Sequence, residues 1–263
     1  MPVYIDQTGR KVSIPSAKRI VSLVPSQTEL LHDLGLSNEV VGITKFCVHP
    51  EEWFKTKIRI GGTKQVKMDM VHELQPDLII ANKEENLKEQ VEELAKYYPV
   101  WVSDVNTIND AYEMIEQVGL ITNRKNEAIG IVETIKGNFV QHQTSNLELR
   151  TVYLIWKDPY MTIGGDTFIH SMLEAAGFEN VFKNKSRYPE VTVDELKTHN
   201  LELLLLSSEP YPFKQKHKVE LEALLPKTKI VLVDGEMFSW YGSRMVKAPC
   251  YFSKLHAEIK DNR

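Results

Sequence analysis

Cysteine is scarce in this 263-residue chain. The two present, Cys47 and Cys250, have no CxxC spacing and no histidine pair beside them, which excludes a disulfide framework and a structural zinc site of the usual kinds. Positive charge is not in excess either: 32 Lys and Arg face 36 Asp and Glu, for a net charge of −4. A nucleic-acid partner, which demands a basic face to displace phosphate counterions, is therefore not expected; the short KQKHK run at 214–218 reads as a solvated turn or helix end. Long apolar runs are missing. The longest is Leu203 to Leu206 with Leu201 just before it, far short of the roughly 20 residues of a membrane span. The opening MPVYIDQTGRKVSIP has no basic stretch followed by an apolar one and no small-residue cleavage site, so a full-length chain is expected to stay where it is made, in the cytoplasm. Catalytic signatures are absent too. There is no GxSxG elbow, no HExxH and no paired carboxylates at a credible spacing, so an enzyme is not expected and no catalytic residue or catalytic cofactor is assigned. Gly61-Gly62 and Gly164-Gly165 fit neither GxGxxG nor GxxxxGK[ST] and read as tight turns, with an anion at the Asp166–Phe168 helix start left open.

What is present is an ordinary globular composition, 42% hydrophobic and 26% charged, and a strong alternation of pattern. Apolar runs rich in β-branched residues alternate with amphipathic helical stretches, the signature of parallel α/β units. Strands are expected at Arg19–Val24, Val40–Ile43, Leu78–Ala81 and Val100–Val102, and again at Val152–Trp156 and Ile230–Val233. Ser26 with Glu29 reads as a capping box opening a helix that Gly35 stops. Gln75-Pro76 ends the helix that begins near Asp69. Asp166 can cap a helix running to Gly177, and Thr192 with Glu195 forms a second box.

The second half repeats the first. GLSN at 35–38 is echoed by GFEN at 177–180, and Asp69 and Asp77 recur as Asp194 and Glu202 at one constant offset. These matches in the same order imply an internal duplication. Between the halves runs a polar segment from Thr107 to Asn146, whose later part, Arg124 to Thr144, places Ile129, Val132, Ile135, Phe139 and Val140 at helical spacing. About 20 helical residues span roughly 30 Å. The organisation expected is an N-terminal α/β lobe at 1–122, a connecting helix at 123–146 and a C-terminal α/β lobe at 147–263. These are two Rossmann-like lobes joined by one long rigid helix, with a ligand cleft between them.

Six segments carry a likeness to a known family: RIVSLVPSQTELLHDLGL, GITKFCVHPEEW, LQPDLIIA, GGDTFIHSMLEAAGFENVF, TVDELKTHNLELLLL and VDGEMFSWYGSRMVKA. In this order they resemble the helical-backbone (class III) substrate-binding proteins of ABC importers for cobalamin, haem and iron–siderophore complexes, with the strongest likeness to the cobalamin-binding branch. The resemblance runs from about residue 3 to residue 255. It implies a monomer, periplasmic or at the cell surface, that holds a metal chelate (cobalamin or another corrinoid, with an iron–siderophore or haem as the alternative) and docks on a membrane permease. A cytoplasmic tetrapyrrole carrier or enzyme uncoupled from transport is the other reading.

A corrin or porphyrin is a broad, flat disc, so its site needs aromatic and aliphatic walls with a few placed donors at the rim. Such groups belong at strand ends. Phe46 follows Val40–Ile43, Tyr160 and Met161 follow Val152–Trp156, Tyr188 precedes the Thr192-capped helix, and Trp240, Tyr241 and Arg244 follow Ile230–Val233. The resemblance implies aromatic walls at Phe46 and Tyr188 and a ligand contact at Arg244; Thr63 and Glu236 depart from it, standing where relatives carry a tryptophan and an aspartate. Each residue has a plainer reading: core plugs for Phe46 and Tyr160, a surface ion pair for Arg244. If Arg244 and Trp240 face a ligand, their replacement by Ala weakens binding and leaves the melting temperature nearly unchanged. Cys47 and His49, two apart on an extended segment, would bring a thiolate and an imidazole to the axial position of a chelated metal, against His49-Pro50 as turn chemistry. Asp69 and Asp194 stand where transporter-coupled relatives place glutamates that dock on permease arginines; each equally favours its own helix N-terminus.

Overall fold

The computed structural model describes residues 2–142 and 148–261. Its contacts divide the chain into two compact units. Unit 1 comprises Met1–Val105, Asn109–Lys136 and Tyr241–Arg244, and unit 2 comprises Asn106–Ile108, Gly137–Trp240 and Met245–Arg263. The Tyr241–Arg244 segment, which by position in the chain falls in the C-terminal lobe, thus groups with the N-terminal one.

Unit 1 is built on a parallel sheet of β1 (Ile20–Ser22), β2 (Val40–Ile43), β3 (Ile58–Arg59), β4 (Leu78–Asn82) and β5 (Val100–Ser103), in the order β3-β2-β1-β4-β5. Unit 2 repeats the plan with β6 (Leu149–Leu154), β7 (Phe178–Asn180), β8 (Leu203–Ser207) and β9 (Lys229–Val233), in the order β7-β6-β8-β9 and again parallel. In both, the first strand lies between the second and a later one. Every residue of β4 and of β8 is buried, because helices cover both faces of a parallel sheet and only continuous apolar runs tolerate that.

The duplication extends to hydrogen bonds. In unit 1, Arg19 donates from Nε and Nη2 to the Leu74 carbonyl at 3.0 and 2.7 Å, and its backbone N–H donates to the Asp77 carboxylate at 2.8 Å. In unit 2, Arg150 donates from Nε and Nη2 to the His199 carbonyl at 3.1 and 2.9 Å, and its N–H to the Glu202 carboxylate at 3.0 Å. In each unit one arginine satisfies the orphan carbonyl at the end of the helix that precedes β4 or β8, a common use of a cation there. Gly35 and Gly177 likewise both take positive φ, +77° and +79°, after their helices, a conformation that disfavours any side chain.

Two expected caps differ. The helix Pro25–Asp33 starts at Pro25, with Val24 as its N-cap and no side-chain cap. Proline at the first helical position is pre-set for the helix and lacks the N–H that a cap would satisfy, so the Ser26–Glu29 box does not form and Glu29 turns elsewhere. The helix Phe168–Ala175 is capped by Thr167, which accepts from the His170 N–H at 3.3 Å, and not by Asp166; Asp166 accepts the Arg187 N–H instead. A carboxylate at that spot repels the anion contemplated there. Thr192 does accept from the Glu195 N–H, at 3.1 Å.

The segment between the two sheets forms two helices, Ile108–Ile121 and Lys125–Gln141. The second has 17 residues, about 26 Å at 1.5 Å per residue, and buries Ala128, Val132 and Ile135. The continuation expected to Thr144 and Asn146 lies outside the described residues. Among those described, no helix is long and apolar enough to cross a membrane.

Candidate functional site

In an open parallel sheet the ligand crevice forms at the carboxyl ends of the strands, where the strand order reverses. That point lies between β1 and β4 in unit 1 and between β6 and β8 in unit 2.

In unit 1 the chain fills the point itself. Tyr241 Oη donates to Glu85 Oε1, beyond β4, at 3.0 Å. Arg244 donates from Nε and Nη2 to the two carboxylate oxygens of Glu29, in the helix after β1, at 2.7 and 2.9 Å. Between them Gly242 takes φ +108°, and a Cβ there would lie 3.4 Å from the Ser26 carbonyl. Burial, and then the neighbouring Glu85 charge, holds the Tyr241 phenol well above its ordinary value, so it is a neutral donor. Phe46, in the loop after β2, is 50% exposed. Its ring lies 3.1 Å from where a Gly62 Cβ would stand, and Lys45 Nζ sits 5.0 Å from its centroid. Thr63, on the same hairpin as Gly62, is half-buried.

Cys47 corrects an expectation. It is fully buried, its sulfur 3.1 Å from Thr28 Oγ1 and 3.2 Å from Thr44 Oγ1. Burial pushes its thiol up to about 11, against the pull of those two hydroxyls. It therefore stays a protonated thiol, and a thiol is not the metal-binding species. The segment is a turn, with Cys47 pointing inward while Val48 is exposed and His49 half-buried. Among the described residues no group of three or more His, Cys, Asp or Glu could hold a metal ion.

In unit 2 the loop after β6 folds back on itself. Ile155 N–H donates to the Met161 carbonyl at 3.0 Å, and Met161 N–H to the Trp156 carbonyl at 3.1 Å. Tyr160 is half-buried against the core of the unit, with Lys157 Nζ 5.9 Å from its ring. Met161 is half-buried as well. Tyr188, also half-buried, carries the Arg187 guanidinium 5.4 Å from its ring. Trp240 is 8% exposed and donates from Nε1 to Glu209 Oε1 at 2.9 Å. Burial raises the Glu209 carboxyl above its ordinary value; the Ser239 and Trp240 donors pull it down and the Glu236 charge adds to the rise. The expected residues thus sort into an open ring at Phe46, three half-buried groups at Tyr160, Met161 and Tyr188, and Trp240, Tyr241 and Arg244, each buried and bonded to a carboxylate.

The model of the family described as periplasmic binding protein matches residues 20–225. The chain belongs to that family. A vitamin B12-binding protein of Vibrio parahaemolyticus is 25% identical over 196 residues, covering 72% of this chain and 70% of that protein. An uncharacterized ABC transporter substrate-binding lipoprotein of Bacillus subtilis is 28% identical over 205 residues, covering 73% of this chain and 64% of that one. Among solved structures, a periplasmic haem-binding protein of Vibrio cholerae superposes with a TM-score of 0.78 at 19% identity, over 92% of this chain and 99% of that chain. Such proteins bind substrates and are not enzymes, in keeping with the missing catalytic signatures.

The Asp194 side chain is exposed to 92% of its full area, and Lys197 donates to it at 3.0 Å. Asp69 is likewise exposed, in the first turn of the helix Met68–Leu74. Two surface hollows of unit 1, about 340 Å³ beside Arg10 and Tyr97 and about 470 Å³ beside Glu113 and Lys125, hold none of the candidate residues. Sequence reasoning passed over Trp156, read as the end of a strand that in fact stops at Leu154, and the carboxylates Glu85 and Glu209, and it gave Glu29 a capping role only. The Lys157-Asp158-Pro159 turn was the signal for the first; no local signal marks the others.

Proposed function

We propose that this protein binds a flat, corrinoid-type metal chelate whose rim carries neutral amides. One observation carries the reading: the arginine expected at the ligand's edge, Arg244, is bonded on two nitrogens to Glu29. A guanidinium already neutralised by a carboxylate is a poor receptor for the propionates of haem or the charge of a ferric siderophore, which call for arginine clusters. The open Phe46 ring and the neutral Tyr241 phenol suit a disc with an apolar face and amide edges. The likeness to a vitamin B12-binding protein points the same way, and His49 is the candidate axial ligand to the chelated metal. Calorimetric titration with cyanocobalamin, dicyanocobinamide, haemin and a ferric hydroxamate tests this. Heat and a spectral change with the corrinoids alone are expected; binding confined to haemin or the hydroxamate would replace this reading with the iron-chelate one.

The same proposal includes delivery to an ABC permease through Asp69 and Asp194. Reversing both to Lys should leave the melting temperature within a few degrees and corrinoid affinity unchanged, while abolishing ligand-stimulated ATPase in proteoliposomes that carry the host's permease; undiminished stimulation would remove the docking role. Fractionation of the native host distinguishes an extracytoplasmic receptor from a cytoplasmic carrier uncoupled from transport.

A further inference from the structure

The hollow of about 340 Å³ beside Arg10 and Tyr97 lies between the chain leading into β5 and an amino-terminal hairpin of strands Val3–Ile5 and Lys11–Ser13. It sits at the amino end of β5, away from the carboxyl strand ends where a ligand crevice forms. The hairpin is tied to unit 1 through its turn. Gln7 N–H donates to the Val102 carbonyl at 3.2 Å, and Arg10 Nη2 to the Val100 carbonyl at 3.0 Å. The buried Asp6 carboxylate accepts from Arg10 Nε and Nη2 at 2.9 and 2.7 Å.

Register decides which hairpin side chains face out. Val3 stands opposite Ser13, Tyr4 opposite Val12 and Ile5 opposite Lys11. Alternation along a strand sends Tyr4 and Val12 to one face and the other four to the opposite one. Val12 is buried, so its face is the inner one; on the outer face Val3 and Ile5 are 58% and 60% exposed, beside exposed Lys11. Tyr97, whose ring meets His72 edge to face with centroids 5.2 Å apart, lines the same hollow as Lys11 and is 62% exposed. Of the large hydrophobic side chains among the described residues, only Val140 is more exposed than these three. Single exposed apolar groups are ordinary, whereas a cluster rimmed by polar groups marks an interaction surface. The rim here is cationic. Arg10, Lys11 and Lys96 line the hollow, and no acid among the described residues does. The first 19 residues carry four Lys and Arg against one acid, the buried Asp6, in a chain of net charge −4.

We propose that this face of unit 1 rests on the surface of an anionic bilayer. Val3, Ile5 and the Tyr97 ring enter the headgroup layer, and lipid phosphates meet Lys11 and the hollow. Tyrosine suits that layer because its ring is apolar and its hydroxyl stays wet. Apolar burial and attraction to acidic lipid act together, as they must where neither holds a protein by itself. Arg10 and Lys96 already pair with Asp6 and Glu93, so Lys11 supplies the largest single electrostatic share.

The test is co-sedimentation of the whole protein with two kinds of vesicle, pure phosphatidylcholine and equal parts phosphatidylcholine and phosphatidylglycerol. Binding is expected to the anionic vesicles only, falling as salt approaches ~1 M, where the Debye length is about 3 Å. K11E reverses a charge at the lipid surface and should weaken binding about tenfold or more. V3S/I5S should weaken it by about as much, through lost apolar burial. Both variants alter exposed side chains, so they should melt within a few degrees of wild type and leave the corrinoid titration unchanged. Hydrogen exchange of the wild type on anionic vesicles should show protection of residues 2–13 and 95–100. No binding to anionic vesicles, equal binding to both kinds, binding that K11E and V3S/I5S leave intact, or protection confined to other segments overturns the proposal. A dimer in free solution that V3S/I5S abolishes overturns it as well, by giving this face to a second copy of the chain.

Discussion

Removing Arg244 should unfold unit 1 far more readily than its distance from the amino-terminal sheet in sequence suggests. Its guanidinium and the Glu29 carboxylate form a two-pronged pair with side chains only 7% and 9% exposed. A pair so placed is a weak net stabiliser while intact, because each charge has lost its water; deleting one partner strips the other buried charge of its two-pronged counter-ion, at about 3–5 kcal/mol. For a chain of this size, about 1 kcal/mol moves the melting temperature by roughly 2–4 °C. Arg244→Ala should therefore lower it by roughly 6 to 20 °C in a circular-dichroism melt. The double variant E29L/R244M, which replaces both charges with apolar groups of similar volume, should recover most of the loss. This outcome reverses the expectation from sequence, in which Arg244 borders a ligand and its loss leaves stability nearly untouched. An R244A melt within about 2 °C of wild type would refute the reasoning and return the pair to the class of solvent-screened surface bridges, worth ~0–1 kcal/mol.

Two further predictions concern buried ionisable groups. Because the Glu209 carboxyl is raised in the folded protein, chiefly by burial, its contribution to stability is fully present below the unfolded value near 4.5 and is lost as pH rises through the folded value; E209Q keeps an acceptor for Trp240 without the charge, so the melting temperature of wild type relative to E209Q should fall from pH 4 upward, and a pH-independent difference would contradict this. Cys47, fully buried with its thiol pushed up to about 11, should resist a thiol reagent at pH 8 in the native state, whereas half-buried Cys250 reacts; mass spectrometry locating the first adduct at Cys47 would be the contrary result.

The α/β class and the duplication were legible because they rest on local, periodic signals. Apolar runs such as Leu203–Leu206 can only be doubly covered strands, and matched acids such as Asp77 and Glu202 recur because the same backbone groups of Arg19 and Arg150 need them. Helix ends marked by Gly35 and Gln75-Pro76 were equally clear, since the left-handed turn and proline act on the nearest residues alone. Caps were less so: Ser26 was displaced by the proline before it and Asp166 by the threonine after it, because one residue of shift changes which side chain meets an orphan N–H.

The roles of the site residues lay beyond any local pattern. That Arg244 meets Glu29, 215 residues away, or that Tyr241 meets Glu85, 156 away, depends on where the late segment 241–244 settles, and no periodicity carries that information. Burial decided the rest. The same thiol that reads as a metal ligand in an extended strand becomes an inert hydrophobe once Thr28 and Thr44 enclose it. The tryptophan that reads as the last residue of a strand lies in the loop beyond it, 40% exposed, because the strand ends two residues sooner. Chain order specifies which groups can pair with near neighbours, whereas the loss of water around a charge or a ring is a property of the assembled units alone.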